Sequence, residues 1–238
     1  NKEGDEPQQI NLLMICSIKS GIPLYYRPLG GNTAEARSLE GTLADLKGAE
    51  FRKGAMVVTD RGMYSMANVV LLLRSGFRFL VGLPSTTSLW REAVAEAEPA
   101  ILDTANLCPL WDVYGWTKGI EVEAPRRGRG PNAHPVCLYL FLNPAKRRDE
   151  QLAQSKQFAK DKERLEADPS LWKKGNRYGK YFTLARDAKG KVIGVEHNDE
   201  AQRARIAECG YFGFIGTPGL KADDVLRFTR NRDYIEKD

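Results

Sequence analysis

Short apolar runs alternate with amphipathic stretches between residues 10 and 83, and this alternation constrains the fold more than any other feature. Residues 10–18 form a nearly continuous apolar run, typical of a strand that is covered on both faces. After a turn at Lys19-Ser20-Gly21, residues 22–29 predict a second strand that returns antiparallel. Helices and buried strands then alternate: a helix from Asn32-Thr33 to about Leu46, a strand over 55–59, a helix from Ser65 to Gly76 and a strand over 77–83. This order predicts an α/β fold with a mixed sheet flanked by helices.

After Pro84 the pattern becomes less regular. Strand-like pieces follow over residues 135–142, 178–186 and 191–195. A long polar helix is predicted over residues 144–167, and its thin apolar stripe of Leu152, Ala159 and Leu165 indicates a projecting arm. Residues 211–217 predict a further strand, and the chain ends in an amphipathic helix. We therefore expect a core formed by residues 1–83 and 211–238, interrupted by a β-rich insertion subdomain with a long helix over 84–210.

The composition narrows the class of protein. The 238 residues carry a net charge of +5, which favours a polyanionic partner. No run has the length of a membrane span, and no signal-peptide pattern is present. The four cysteines have no CxxC spacing and the two histidines are too few for a His-rich zinc site, so we expect a reducing cytosol and no structural zinc. Because the chain begins at Asn1 and stops within a predicted helix, we expect it to be a fragment of a longer protein.

Two acidic residues far apart in the chain are candidates for chemistry. Asp60 follows a buried strand and precedes a turn at Gly62, and open sheets bind ligands at strand carboxyl ends. Glu236 lies on the last helix, where it shares a stripe with Thr229 and Arg232. Carboxylates are the ligands that Mg²⁺ takes in proteins, and a pair of such ions can promote phosphoryl transfer. Each residue also has an ordinary interpretation, a turn aspartate before glycine for Asp60 and a solvated Arg/Glu pair for Glu236.

The order of five short motifs adds a family resemblance that covers nearly the whole chain. These motifs are Gly21-Ile22-Pro23-Leu24, Gly31-Asn32-Thr33, Val58-Thr59-Asp60-Arg61-Gly62, Phe79-Leu80-Val81-Gly82-Leu83 and Arg232-Asp233-Tyr234-Ile235-Glu236-Lys237. Together they resemble the DDE transposases of the insertion-sequence 4 type. The resemblance implies an RNase H-like catalytic core that is interrupted by a β-rich insertion before the last catalytic helix.

The resemblance also implies roles for particular residues. Asp60 matches the second catalytic aspartate, Glu236 the catalytic glutamate, and Arg232 the arginine of the Tyr-x-x-Arg-x-x-x-Glu motif, in which Thr229 replaces the tyrosine. Asp60 and Glu236 would be ligands of Mg²⁺, for which Mn²⁺ can substitute. The first catalytic aspartate is expected upstream of residue 1, since Glu3, Asp5 and Glu6 are candidates by residue type alone. We therefore expect this fragment alone to be inactive.

The implied substrate is double-stranded DNA, both transposon ends and target, bound by a homodimer in the prokaryotic cytoplasm near the nucleoid. Candidate DNA contacts are Arg126, Arg127, Arg129, Arg147, Arg148 and Lys237. For the 126–130 loop, a merely solvated basic loop remains an alternative. We expect Trp111 and Trp116 to pack in the core of the insertion rather than to stack on an extruded base.

Three hypotheses for function follow. The first is a transposase that hydrolyses a phosphodiester at a transposon end and transfers the freed 3′-hydroxyl to target DNA. The second is a non-catalytic DNA-binding remnant of a transposase, and the third is an RNase H-like nuclease. An aspartate on a short apolar strand upstream of Asn1 would favour an enzyme over the remnant.

Overall fold

The computed structural model describes residues 10–16, 23–30, 35–48, 56–123 and 133–235. Within these ranges the chain forms a mixed α/β fold. Its centre is a six-stranded, curled, mixed sheet with helices, accompanied by a two-stranded hairpin and a long helix. The predicted α/β class is therefore confirmed at this level.

The amino-terminal part of the described chain is an antiparallel hairpin followed by a helix. Strand β1 (Ile10–Cys16) pairs with β2 (Pro23–Gly30), as the sequence predicted, and α1 (Glu35–Gly48) follows. We expected this hairpin to share one sheet with the two later strands of the first 83 residues. Among the described residues it instead forms a separate two-stranded sheet, and strands from later in the chain complete the central one.

The next three elements form a parallel strand–helix–strand unit. Strands β3 (Met56–Thr59) and β4 (Arg78–Gly82) are parallel, and α2 (Met66–Ser75) connects them. Ser65 caps α2 by accepting a hydrogen bond from the amide of Asn68 at 3.1 Å, as the sequence predicted. Gly76 ends the helix in the left-handed conformation, with φ at +79°.

The middle of the chain contains more regular structure than its pattern indicated. Its elements are α3 (Ser88–Ala97), β5 (Leu107–Cys108), β6 (Val113–Glu123), β7 (Ala133–Leu142), α4 (Pro144–Ala167), α5 (Arg177–Tyr181), β8 (Phe182–Arg186), β9 (Val192–His197) and α6 (Asp199–Ala207). Helix α4 has the predicted bounds. The strand predicted over 178–186 is wrong in its first half, because Asn176 accepts a hydrogen bond from the amide of Gly179 at 2.9 Å and caps the short helix α5.

The last strand joins the two halves of the central sheet. Strand β10 (Tyr211–Gly216) pairs antiparallel with β4 on one side and β7 on the other, giving the order β3-β4-β10-β7-β6-β5. Helix α7 (Ala222–Ile235) follows. Three strands of the predicted insertion therefore lie in the same sheet as β3 and β4. The division into a core and an insertion subdomain stays a prediction.

The sheet is buried on both faces. One face, which includes Phe79, Val81 and Ile215, packs against α1, α2 and α3. The opposite face, which includes Leu80 and Phe141, packs against buried residues of α7. Successive residues of β4 thus face opposite layers, as the alternation of side chains along a strand requires.

A third cluster lies apart from the sheet. Its buried residues are Phe158 and Leu165 of α4, Phe182 of β8 and Val195 of β9. Of the three residues in the apolar stripe of α4, Leu165 is buried, whereas Leu152 is 57% exposed and Ala159 is exposed. We call residues 144–207 the α4–α6 module. Helix α4 forms one side of a small core in this module rather than a bare arm.

Candidate active site at the end of strand β3

Asp60 lies where strand β3 ends, on the exposed surface. Its side chain accepts a hydrogen bond from the amide of Arg61 and caps a short 3-10 turn over Arg61–Met63. The amide of Met63 donates to the Asp60 carbonyl at 3.1 Å, which closes the turn. The chain therefore turns sharply at the strand end and leaves an exposed carboxylate at the edge of the sheet, where open α/β sheets bind ligands.

The neighbouring strand supports this turn through a glycine. Strand β4 ends at Gly82, and a Cβ atom added there would lie 2.7 Å from the Arg61 amide nitrogen and 3.1 Å from the Arg61 Cα. No side chain is accommodated at these distances without a shift of the Arg61 backbone. The turn that carries Asp60 therefore rests directly on the carboxyl end of β4.

Helix α7, which leads toward the predicted glutamate, packs against the strand that leads to Asp60. The helix contacts β3 and β6, and its Val225 and Leu226 are buried in the second core cluster. Thr229 is 5% exposed, and its hydroxyl donates to the carbonyls of Val225 and Leu226 at 3.0 and 3.1 Å. Thr229 therefore faces the core and does not offer the DNA contact that a tyrosine at this position would.

The other predicted site residues at the carboxyl terminus are described less fully. Arg232 lies within α7, of which the backbone is described at this position. Glu236 and Lys237 lie outside the described residues. The structure thus brings the helix of Arg232 onto strand β3, and the pairing of Asp60 with Glu236 remains a prediction.

The metal ligands implied by the resemblance lie only in part within the described ranges. Within these ranges no three His, Cys, Asp or Glu residues lie close enough together to hold a metal. Asp60 itself fits the requirement of a hard cation, since it is an exposed oxygen donor at a strand end. Glu236, the other residue that the resemblance assigns to the metal, lies outside the described residues.

The candidate DNA contacts differ in their surroundings. Arg148 is exposed, whereas the Arg147 side chain is 19% exposed and its guanidinium is paired with the Glu98 carboxylate at 2.5 Å. Glu98 also accepts a hydrogen bond from the Tyr211 hydroxyl, and burial together with this bond raises the pKa of Tyr211. Arg147 thus ties α4 to the end of α3 and to β10. Arg126, Arg127 and Arg129 lie outside the described residues.

The two tryptophans pack in the core, as expected. Trp116 is half-buried against the first core cluster and Trp111 against the second. The guanidinium of Arg230 on α7 lies 5.2 Å from the centre of the Trp111 ring. Neither ring is an exposed platform for a base.

The grouping of exposed cations in the α4–α6 module is visible only in the structure. Between residues 173 and 191 there are seven Lys and Arg residues and a single acidic one, Asp187. The strand predicted over 178–186 would distribute these cations along an extended segment. In the structure they lie instead at helix α5 and at the turn between β8 and β9.

Comparisons with known proteins return no match among protein families, curated proteins or solved structures. Among the described residues, no helix combines the length and apolar character needed to cross a membrane.

Proposed function

We propose that this chain forms the catalytic region of a DDE transposase that acts on double-stranded DNA. The observation that carries the proposal is the position of Asp60, an exposed carboxylate at the carboxyl end of a half-buried parallel strand, with α7 packed against that strand. The five motifs in their family order add to it. RNase H-like architecture of the core is part of the same proposal.

The proposed reaction has two steps on DNA. Water attacks a phosphodiester at a transposon end and releases a 3′-hydroxyl. This hydroxyl then attacks a phosphodiester of the target DNA and displaces the 3′-oxygen of the target strand. Asp60, Glu236 and an upstream aspartate would hold Mg²⁺, and the bound cation supplies charge stabilisation at the reacting phosphate. Arg232 would orient Glu236 or neutralise a phosphate. A homodimer on DNA would hold two ends together.

The structure suggests what this chain's own residues contribute. The 3-10 turn after Asp60 holds the backbone beside the carboxylate in place. The Arg61 backbone of this turn packs closely against Gly82 at the end of β4. Arg61 is exposed next to Asp60 and can meet a phosphate near the scissile bond. Positioning of this kind lowers the barrier because the reacting groups are already oriented.

The decisive experiment is Asp60→Asn in a longer protein that includes the upstream segment. Asparagine caps a turn nearly as well as aspartate, so we expect unchanged folding and DNA binding but loss of cleavage at transposon ends. The matched control is Asp103→Asn, because Asp103 is also exposed and also precedes a 3-10 turn, at Thr104–Asn106. We expect Asp103→Asn to cleave like the wild type.

The results separate the proposal from its competitors. Cleavage by Asp60→Asn at the wild-type rate would reject Asp60 as a catalytic residue. DNA binding without cleavage by the wild-type longer protein would favour a non-catalytic remnant, and cleavage confined to RNA–DNA hybrids would favour an RNase H-like nuclease. Strong Mg²⁺-dependent nicking by the 238-residue chain alone would contradict the need for an upstream aspartate.

A further inference from the structure

The positive charge of this protein is concentrated in the α4–α6 module. Residues 144–207 contain 16 Lys and Arg against 10 Asp and Glu, whereas the whole chain has a net charge of +5. The module therefore holds the entire excess. Within it, five exposed lysines define what we call the α5–hairpin surface: Lys173, Lys174, Lys180, Lys189 and Lys191.

Within the described residues, internal ion pairs do not neutralise these lysines. Among the described residues, none of the ion pairs involves any of the five. Two neighbouring arginines have structural partners instead. Arg177 pairs with the buried carboxylate of Asp161, and Arg186 donates to the carbonyl of Gly190 at 2.8 Å. The arginines hold the scaffold, whereas the five lysines are exposed, and the Lys180 ammonium also lies 5.0 Å from the centre of the Tyr181 ring.

The first part of the surface is built on α5. A Cβ atom on Gly179 would lie 2.3 Å from the Lys173 carbonyl oxygen, so the segment before α5 is folded tightly against the helix. The Asn176 side chain secures this arrangement, since its Nδ2 donates to the Leu171 carbonyl at 2.9 Å while its Oδ1 caps α5. Lys173, Lys174 and Lys180 are thereby collected around one short helix.

The second part is the tip of the β8–β9 hairpin. Asp187 Oδ1 accepts hydrogen bonds from the amides of Lys189 and Lys191, each at 2.9 Å. Gly190 completes the turn with φ at +79°, a conformation that favours glycine. The one acidic residue between 173 and 191 is thus bound to the backbone, where it shapes the turn that carries two lysines.

The spacing and chemistry of the surface fit a nucleic-acid backbone. Strand β8 has five residues, which places the hairpin tip about 16 Å from α5. Duplex DNA carries one charge per about 1.7 Å of its axis, so two lysine groups at this spacing can contact phosphates on one duplex. Lysine acts as a flexible point charge, which suits phosphate contacts that carry no sequence information.

The absence of an exposed aromatic platform here favours a duplex over a single strand. Tyr178 and Tyr181 of α5 are half-buried against the third core cluster. The large apolar side chains exposed near this surface, within the described residues, are the aliphatic Leu171 and Ile193. Proteins that hold single strands stack bases on exposed aromatic rings, whereas duplexes are held through their phosphates.

We propose that the α5–hairpin surface binds the phosphate backbone of double-stranded nucleic acid without reading its bases. The surface would hold DNA outside the candidate active site, which deepens the proposed function. Its test measures binding and requires no catalysis, so it can fail or succeed independently of the assignment of Asp60.

The test compares three variants of the 238-residue chain by fluorescence anisotropy with a labelled duplex of about 25 base pairs, a length that exceeds the proposed contact span. The first variant replaces Lys173, Lys174 and Lys180 by alanine, and the second replaces Lys189 and Lys191. The control removes the same charge as the first variant by replacing the exposed Lys156, Lys160 and Lys221. Circular dichroism and thermal unfolding verify that each variant is folded.

The dependence of affinity on salt gives the sharpest readout. Each phosphate contact contributes about 0.9 to the slope of log K against log salt concentration. We expect the slope to become shallower by about 3 for the first variant and by about 2 for the second, with weaker binding to every duplex sequence. The control should keep the wild-type slope.

Three results would overturn the proposal. One is a wild-type slope in both surface variants, and another is an equal loss in the control, which would indicate net charge alone. The third is a preference of the wild-type chain for anionic lipid vesicles or for single-stranded DNA over the duplex.

Discussion

Replacing Gly82 by alanine perturbs the contact between strand β4 and the turn that carries Asp60. The added methyl group would lie 2.7 Å from the Arg61 amide nitrogen and 3.1 Å from the Arg61 Cα. Both atoms belong to the backbone, so no side-chain rotation can relieve the contact. Either the Arg61–Met63 turn must lift from the sheet, or the end of β4 must move.

The expected cost follows from these two distances. Overpacking a close contact costs about 1–3 kcal/mol in the free energy of unfolding. Alanine also restricts the backbone of the unfolded chain, which stabilises the folded state by about 0.5–1 kcal/mol and offsets part of this cost. We therefore expect a net destabilisation of about 1–2 kcal/mol, which for a chain of this size lowers Tm by about 2–8 °C.

Gly119 offers a matched control for this substitution. It also lies in a strand of the same sheet, β6, but a Cβ atom there would meet no heavy atom within 4 Å. Denaturant unfolding followed by circular dichroism should show Gly119→Ala as stable as the wild type or slightly more stable. Equal stability of Gly82→Ala and Gly119→Ala would refute the idea that the Asp60 turn rests on β4.

Three further predictions concern buried polar groups. Arg177→Ala should destabilise the chain by about 3 kcal/mol in denaturant unfolding, because it leaves the buried charge of Asp161 without its cation. Asp161→Asn should cost clearly less. Equal costs of the two substitutions would contradict this account. Tyr139→Phe should cost about 1–3 kcal/mol, because the Tyr139 hydroxyl donates to the Thr217 carbonyl at 2.7 Å and accepts from the Leu220 amide at 3.2 Å. Burial raises the pKa of Tyr139, so the unfolded chain loses the phenol proton first and stability should fall as pH rises above about 10. Unfolding curves between pH 9 and 11 should show a smaller fall for Tyr139→Phe than for the wild type, and identical falls would count against the buried phenol.

Several local elements could be predicted from the sequence because their causes are local. Helix α4 begins and ends where predicted, since Asn143 caps it and a proline follows at its first position. The cap of α2 at Ser65 and its end at Gly76 follow in the same way. Helix α3 was not predicted, although Trp90, Val94 and Ala97 show helical spacing in its buried face, because the apolar pattern becomes less regular after Pro84.

The arrangement around the candidate site depended on contacts between distant parts of the chain. Nothing local to Gly82 indicates that Arg61 lies above it, and nothing near Arg147 indicates that Glu98 is its partner. Strand β10 pairs with β4 across more than a hundred residues of intervening chain. A pattern of apolar residues predicts that a strand is buried but does not specify its neighbour, because many pairings bury the same side chains.

Local sequence is enough to predict the alternation of strands and helices, the capping of individual helices and the position of Asp60 directly after a strand. These features arise from backbone propensity and from side chains a few residues apart. Three other features depend on contacts between distant segments: strands from the middle of the chain complete the central sheet, α7 packs against β3, and seven cations lie at α5 and at one hairpin tip. The physical reason is that burial and charge are fixed by the summed packing of the whole chain, to which residues far apart in sequence contribute together.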